Sequence, residues 1–172
     1  MKFLHTSDWH VGRTLNGWSL LEEQEWAFQQ IVDLAIREQV DGVIIAGDLY
    51  DRAVPPVDAI KLFNKTLACL VLEEQIPVYA ISGNHDGAER LHFGRDFFQH
   101  QGLHLSTRLE EAFEPIELEA CQISSFPLSI LLMPVFIIRT MRIRKFRELV
   151  MPWPIFSRIW KKLLILTRPI SW

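Results

Sequence analysis

Three times along the first ninety residues a short apolar run ends abruptly in a cluster of polar residues, and a helical stretch follows. The runs are Lys2–Ser7, Val43–Ala46 and Pro77–Ile81. The first ends in Asp8-Trp9-His10, the second in Gly47-Asp48-Leu49-Tyr50-Asp51, the third in Gly83-Asn84-His85-Asp86. Apolar, β-branched runs bounded by glycine are the pattern of buried parallel strands. Strand and helix in alternation predict an α/β fold with a parallel sheet and right-handed crossovers. In such a sheet the carboxyl ends of the strands line one crevice, so the three polar clusters are expected to meet.

The intervening stretches read as helices. Ser19 with Glu22 three residues on predicts a capping box that opens a long helix, with Leu21, Trp26, Phe28, Ile31, Leu34 and Ala35 at helical spacing. Pro55-Pro56 opens a second helix through about Glu74, with Ile60, Phe63, Leu67, Leu70 and Val71 inward and Cys69 in the core. Ala88–Gln101 reads as a third helix. Leu103–Leu105 reads as a further strand and Phe113–Ile123 as an extended segment. Trp9 reads as packing, His5 as a packed strand residue, and His92, His100 and His104 as surface or helix-flanking groups rather than ligands.

The residue types in the three clusters are oxygen and imidazole donors without thiolate. They suit Mn²⁺, Mg²⁺, Fe²⁺ or Zn²⁺. Asp8 and His10, two apart at an extended end, point the same way and can hold one ion. Asp48 has two oxygens and can bridge two ions. Asn84 offers a neutral oxygen. His85 follows it directly, faces elsewhere, and is placed to meet substrate. Asp51 reads as a carboxylate that orients a ligating histidine.

Composition excludes several classes. The 172 residues include two cysteines, Cys69 and Cys121, too few for a disulfide framework or a structural zinc site. The longest apolar run, Leu128–Ile138, is too short to span a bilayer. The start of the chain lacks a signal-peptide pattern, so a reducing cytoplasm is the expected location. Charge divides the chain sharply. Through residue 120 there are 9 basic and 20 acidic residues; after it there are 9 basic residues and one acid, Glu148.

In order, Asp-x-His, Gly-Asp-x-x-Asp and Gly-Asn-His-Asp resemble the signature of calcineurin-like binuclear metallophosphoesterases. The flanks, Met1–Gly12, Ile45–Asp51 with Pro55-Pro56, and Ile81–Asp86, resemble nuclease subunits of the bacterial SbcC–SbcD class. The likeness covers about Met1–Phe126. It implies a four-layer α/β sandwich, metal-dependent hydrolysis of DNA phosphodiesters with two ions, most often Mn²⁺ and otherwise Mg²⁺, an SbcC-type ATPase partner, and a homodimer of the nuclease subunit. It further implies Asp8 and His10 on the first metal, Asp48 between both, Asn84 on the second, and His85 at the leaving oxygen. Other readings within the class are a phosphatase or a cyclic-nucleotide phosphodiesterase; outside it, a non-catalytic remnant.

The family pattern needs three further histidines, and this sequence has none after His104. The expectation is a truncated sandwich: residues 1–127 as the N-terminal part of a nuclease domain, and 128–172 as a basic, poorly packed tail, the whole an inactive form. A reading shifted by one base turns Met133-Pro134, Met151-Pro152 and Trp153-Pro154 each into alanine and Trp160-Lys161 into glutamate. With ordinary synonymous codons it restores acids, a histidine and a helical pattern. The alternative is a genuine basic arm for DNA.

Overall fold

The computed structural model describes residues 1–118, 121–126 and 135–140. Strand β1 (Phe3–Ser7) leads through a small hairpin, β2 (Thr14–Leu15) and β3 (Trp18–Ser19), into helix α1 (Leu21–Arg37). Strand β4 (Gly42–Ala46) and helix α2 (Val57–Ala68) follow, α2 running into a wider turn over Cys69–Glu73. Then come β5 (Val78–Ile81), the short helices α3 (Ala88–His92) and α4 (Arg95–Gln99), and β6 (Leu103–Ser106). A 3-10 turn at Leu109–Phe113 precedes β7 (Ile116–Glu117), β8 (Cys121–Phe126) and β9 (Val135–Thr140). None of the described helices is long and apolar enough to cross a membrane.

The fold is α/β. Strands β1, β4, β5 and β6 form a parallel sheet in the order β1-β4-β5-β6. The register puts Ser7 opposite Ala46, Ala46 opposite Ile81, and Ile81 opposite Ser106. All four strands therefore end in one row, and the polar clusters begin just beyond it.

Two apolar layers hold this sheet. One face packs on the helices: Phe28, Val32 and Ala35 of α1 and Ala59, Leu62, Phe63 and Leu67 of α2 join Val43, Ile45, Val78 and Ala80. The other face packs on the antiparallel sheet β7-β8-β9, where Ile123 meets Ile44 and Tyr79. Each of the larger side chains contributes about 1.5–3 kcal/mol when fully withdrawn from water. A pleated strand sends alternate residues to the two faces, so Val43 and Ile45 serve the helices while Ile44 serves the second sheet.

Several local expectations are corrected. No capping box forms: α1 starts at Leu21 with Leu20 as its cap and no side-chain cap bond. Ser19 is instead drawn into β3, opposite Thr14, by the turn at Asn16-Gly17, whose φ angles are 50° and 84°. Trp26 is 68% exposed and Ile60 45% exposed, because the buried stripes run through Phe28, Val32 and Ala35 and through Ala59, Phe63 and Leu67. The third helix is broken in two at Gly94, which adopts a left-handed φ of 75°. His5 is exposed, on the edge strand of the sheet. Cys69 is only partly buried, packed against the core.

Strand β9 lies within the stretch from Leu128 that composition alone would leave out of any sheet. It pairs with β8 from Thr140 opposite Cys121 to Val135 opposite Phe126. The rest of that stretch, 128–134 and 141–172, lies outside the described residues, and with it the expectation of poor packing there.

Candidate metal centre

Past the strand ends the backbone pairing continues, and it is this pairing that brings the clusters together. Asp8 N–H donates to the Gly47 carbonyl at 3.2 Å, His10 N–H to the Asp48 carbonyl at 2.9 Å, and Val11 N–H to the Leu49 carbonyl at 3.0 Å. Asp8, His10 and Asp48 all sit at left-handed φ angles, 55°, 44° and 46°. Such angles are costly for residues with a Cβ and concentrate where a side chain must be aimed. Trp9 points the other way. It is buried, stacked on Phe28 at 4.5 Å and edge-on to Phe63 at 5.9 Å, so it anchors the loop as expected.

His10 Nε2 lies 3.9 Å from Asp8 Oδ1 and 3.8 Å from Asp48 Oδ2. These separations are too long for hydrogen bonds. They match the roughly 3–4 Å between donors that each stand about 2.0–2.2 Å from one shared ion. The donor atoms of Asp8, His10 and Asp48 all fall within 4.8 Å of one another. On its other side His10 Nδ1 is buried without a hydrogen-bond partner, 3.7 Å from Asp51 Oδ1. Two carboxylates and an imidazole that do not satisfy one another fit a divalent cation. Asp51 stands where a carboxylate that orients His10 should stand, at a distance that does not close the bond.

A second donor group joins His10, Asp51 and His85. His85 stands edge-on to His10, ring centres 4.7 Å apart. Its Nδ1 lies 2.9 Å from the Asp51 carbonyl oxygen, which can only accept, so Nδ1 carries the proton and Nε2 is left for a ligand. That carbonyl contact, followed by the charges of Asp48, Asp51 and Asp86, holds the His85 pKa above the usual imidazole value. The His85 backbone N–H donates to Asp48 Oδ1 at 3.0 Å. Asn84 lies between Gly83 and His85, exposed in the same loop.

Asp86 carries a role that sequence reasoning missed. Its Oδ2 accepts from Leu49 N–H at 2.9 Å and Gly83 N–H at 2.8 Å, and its Oδ1 from Tyr50 N–H at 2.8 Å. One carboxylate thereby ties the loop after β5 to the loop after β4. Burial pushes the Asp86 pKa up despite these donors. Burial, with the Asp86 charge, pushes the Tyr50 phenol up to about 12, so Tyr50 stays neutral. The three other histidines that follow the strand-end clusters stand outside both donor groups: His92 meets Thr107 and Glu111, His100 follows α4, and His104, expected at the surface or beside a helix, is instead half-buried in β6 and stacked on Tyr79.

Comparison with known proteins bears on the family. The family model described as calcineurin-like phosphoesterase matches residues 1–169. Over 127 residues, 74% of this chain, the sequence is 45% identical to the SbcD component of the SbcCD nuclease of Staphylococcus epidermidis. That alignment spans 34% of the relative's length. With the donor row at the ends of three parallel strands and a family match over nearly all of its residues, the chain belongs to the calcineurin-like phosphoesterases.

Proposed function

We propose that this chain carries the N-terminal, metal-binding part of a nuclease subunit of the SbcC–SbcD class, acting on DNA phosphodiesters in repair and recombination. The observation that carries the reading is the convergence of Asp8, His10 and Asp48 within 4.8 Å, with His85 beside them. The occupants would be two divalent ions, Mn²⁺ before Mg²⁺. Divalent ions, when bound, polarise the phosphate and lower the pKa of water.

The chain's own residues divide the work. Asp8 and His10 would hold one ion, Asp48 would be shared by both, and Asn84 would give its oxygen to the second. His85 presents Nε2 to the leaving oxygen and, protonated, donates to it; the Asp51 carbonyl fixes the ring for that task. The partners are DNA, an SbcC-type ATPase and a second copy of the chain, in the cytoplasm. Phe93 and Phe97, 84% and 80% exposed, support a protein contact near α3 and α4.

We read residues 128–172 as translated from a shifted frame. The inversion of charge after residue 120 supports that. The nucleotide sequence at the codons for Phe126–Leu128 tests it: a one-base correction that opens onto further histidine motifs supports the shift, and no continuation in any frame overturns it.

The function is tested by Mn²⁺ titration of the chain and of Asp48→Asn. The substitution removes charge shared by both ions, so affinity should fall throughout; unchanged affinity overturns the assignment. The corrected chain should cleave duplex DNA ends with Mn²⁺. Hydrolysis of p-nitrophenyl phosphate without DNA cleavage would make it a phosphatase instead.

A further inference from the structure

Gln24 lies in the first turn of α1, outside both donor groups, yet its amide spans the loop that carries Asp8 and His10. Its Nε2 donates to the carbonyl oxygens of Trp9 at 3.1 Å and His10 at 2.8 Å. Its Oε1 accepts from Gly12 N–H at 3.0 Å. One half-buried side chain thus meets three backbone groups of one short stretch, using donor and acceptor together.

The stretch it grips is one that needs holding. Asp8 and His10 have φ angles of 55° and 44°, and Gly12 of 87°. The other edge of the loop is already pinned by the bonds from His10 N–H to Asp48 and Val11 N–H to Leu49. Gln24 supplies the opposing edge, so the backbone from Trp9 to Gly12 is fixed from both sides. The direction of the His10 imidazole follows from that of its peptide, and His10 Nε2 faces Asp8 and Asp48. Helix α1 itself does not depend on Gln24, because Phe28, Val32 and Ala35 already seat it in the core.

We infer that Gln24 is a positioning residue of the metal centre: by clamping the carbonyls of Trp9 and His10 and the N–H of Gly12, it sets the aim of His10 and Asp8 and thereby the affinity for the ion. The inference rests on the metal-binding reading above. Ligand-orienting groups of this kind change metal affinity by roughly 10- to 100-fold when removed.

The test compares wild type, Gln24→Met and, as a control on the same helix, Val32→Ala, all as the 172-residue chain. Mn²⁺ binding is read from the electron paramagnetic resonance signal of the free ion, at a temperature where circular dichroism reports each protein folded. Exchange of the Gly12 amide hydrogen is read in the metal-free protein. Gln24→Met, which keeps side-chain length and loses all three bonds, should bind Mn²⁺ roughly 10- to 100-fold more weakly and exchange Gly12 faster. Val32→Ala should melt lower yet bind Mn²⁺ as wild type does. Should Gln24→Met fail to fold, Gln24→Asn takes its place, since its shorter amide cannot span the three groups. Equal affinity in wild type and the Gln24 variant, or equal loss in Val32→Ala, overturns the role of Gln24. Wild-type protein that takes up no Mn²⁺ while Gly12 exchange still responds to Gln24 overturns the metal reading, and this inference with it.

Discussion

Gly83 packs against Asp48 with no room for even one more carbon. A Cβ on Gly83 would stand 2.1 Å from Asp48 Oδ1 and 2.2 Å from the Asp48 backbone nitrogen. One of those atoms is main chain, so a rotamer change cannot relieve the clash. The loops after β4 and β5 are in contact at the residue proposed to bridge two ions.

Gly83→Ala should therefore harm fold and site together. Overpacking of this kind costs about 1–3 kcal/mol. Urea unfolding should report that loss, and Mn²⁺ titration a weaker site, because Asp48 Oδ1 must leave its place. Unchanged stability and affinity would mean that the two loops are further apart than the structure has them.

Asp86 braces the same two loops. Asp86→Ala strips the acceptor from three backbone N–H groups, those of Leu49, Tyr50 and Gly83. Each N–H left without a partner out of water's reach costs about 1–3 kcal/mol. A fall in unfolding free energy with faster amide exchange at Leu49 and Tyr50 is the expected result. Unaltered exchange at those two amides would refute the brace.

The sheet and the row of donors were legible because both rest on short-range pattern. Val43–Ala46 and Pro77–Ile81 are apolar runs cut off by glycine or serine, and parallel pairing then aligns their ends, so residues far apart in sequence meet without any further signal. Gln24 and Asp86 were not legible in the same way. They act on backbone N–H and C=O groups, which nearly every residue possesses, so nothing in the partner's identity betrays the contact. Asp86 was visible as a motif member but not as a brace across 36 to 37 residues to Tyr50 and Leu49. The capping box failed because a stronger local signal, Asn16-Gly17, claimed Ser19 for a hairpin. The third helix failed because its periodicity runs through Phe93-Gly94 while its backbone does not.

His85→Ala separates two roles that sequence alone left open, ligand and proton donor. With Nδ1 bound to the Asp51 carbonyl, the ring offers only Nε2. If that nitrogen serves the leaving oxygen, the 172-residue variant should keep its Mn²⁺ affinity. In the frame-corrected protein cleavage should then fall about 10²- to 10⁴-fold, the usual worth of a positioned acid. Loss of Mn²⁺ in the short chain would instead make His85 a ligand, as its place in the second donor group with His10 and Asp51 allows.

His104 gives the fold a dependence on pH. It lies flat against Tyr79, ring centres 4.9 Å apart, with its Nδ1 buried and unbonded. Burial, and then the Arg95 charge, lowers its pKa below the ordinary 6.5. The unfolded chain, which keeps the ordinary value, binds the proton first as pH falls. Stability from this group is therefore unaffected above about pH 6.5, declines as pH drops below it, and levels off once the folded form is protonated too. His104→Phe keeps the stacked ring and removes the proton site. Urea midpoints measured at about pH 7.5 and 5.5, either side of the ordinary imidazole pKa, should then differ less for the variant than for wild type, with the two proteins diverging on the acid side. Parallel midpoints at both values would mean that His104 takes up its proton as readily in the fold as in the open chain.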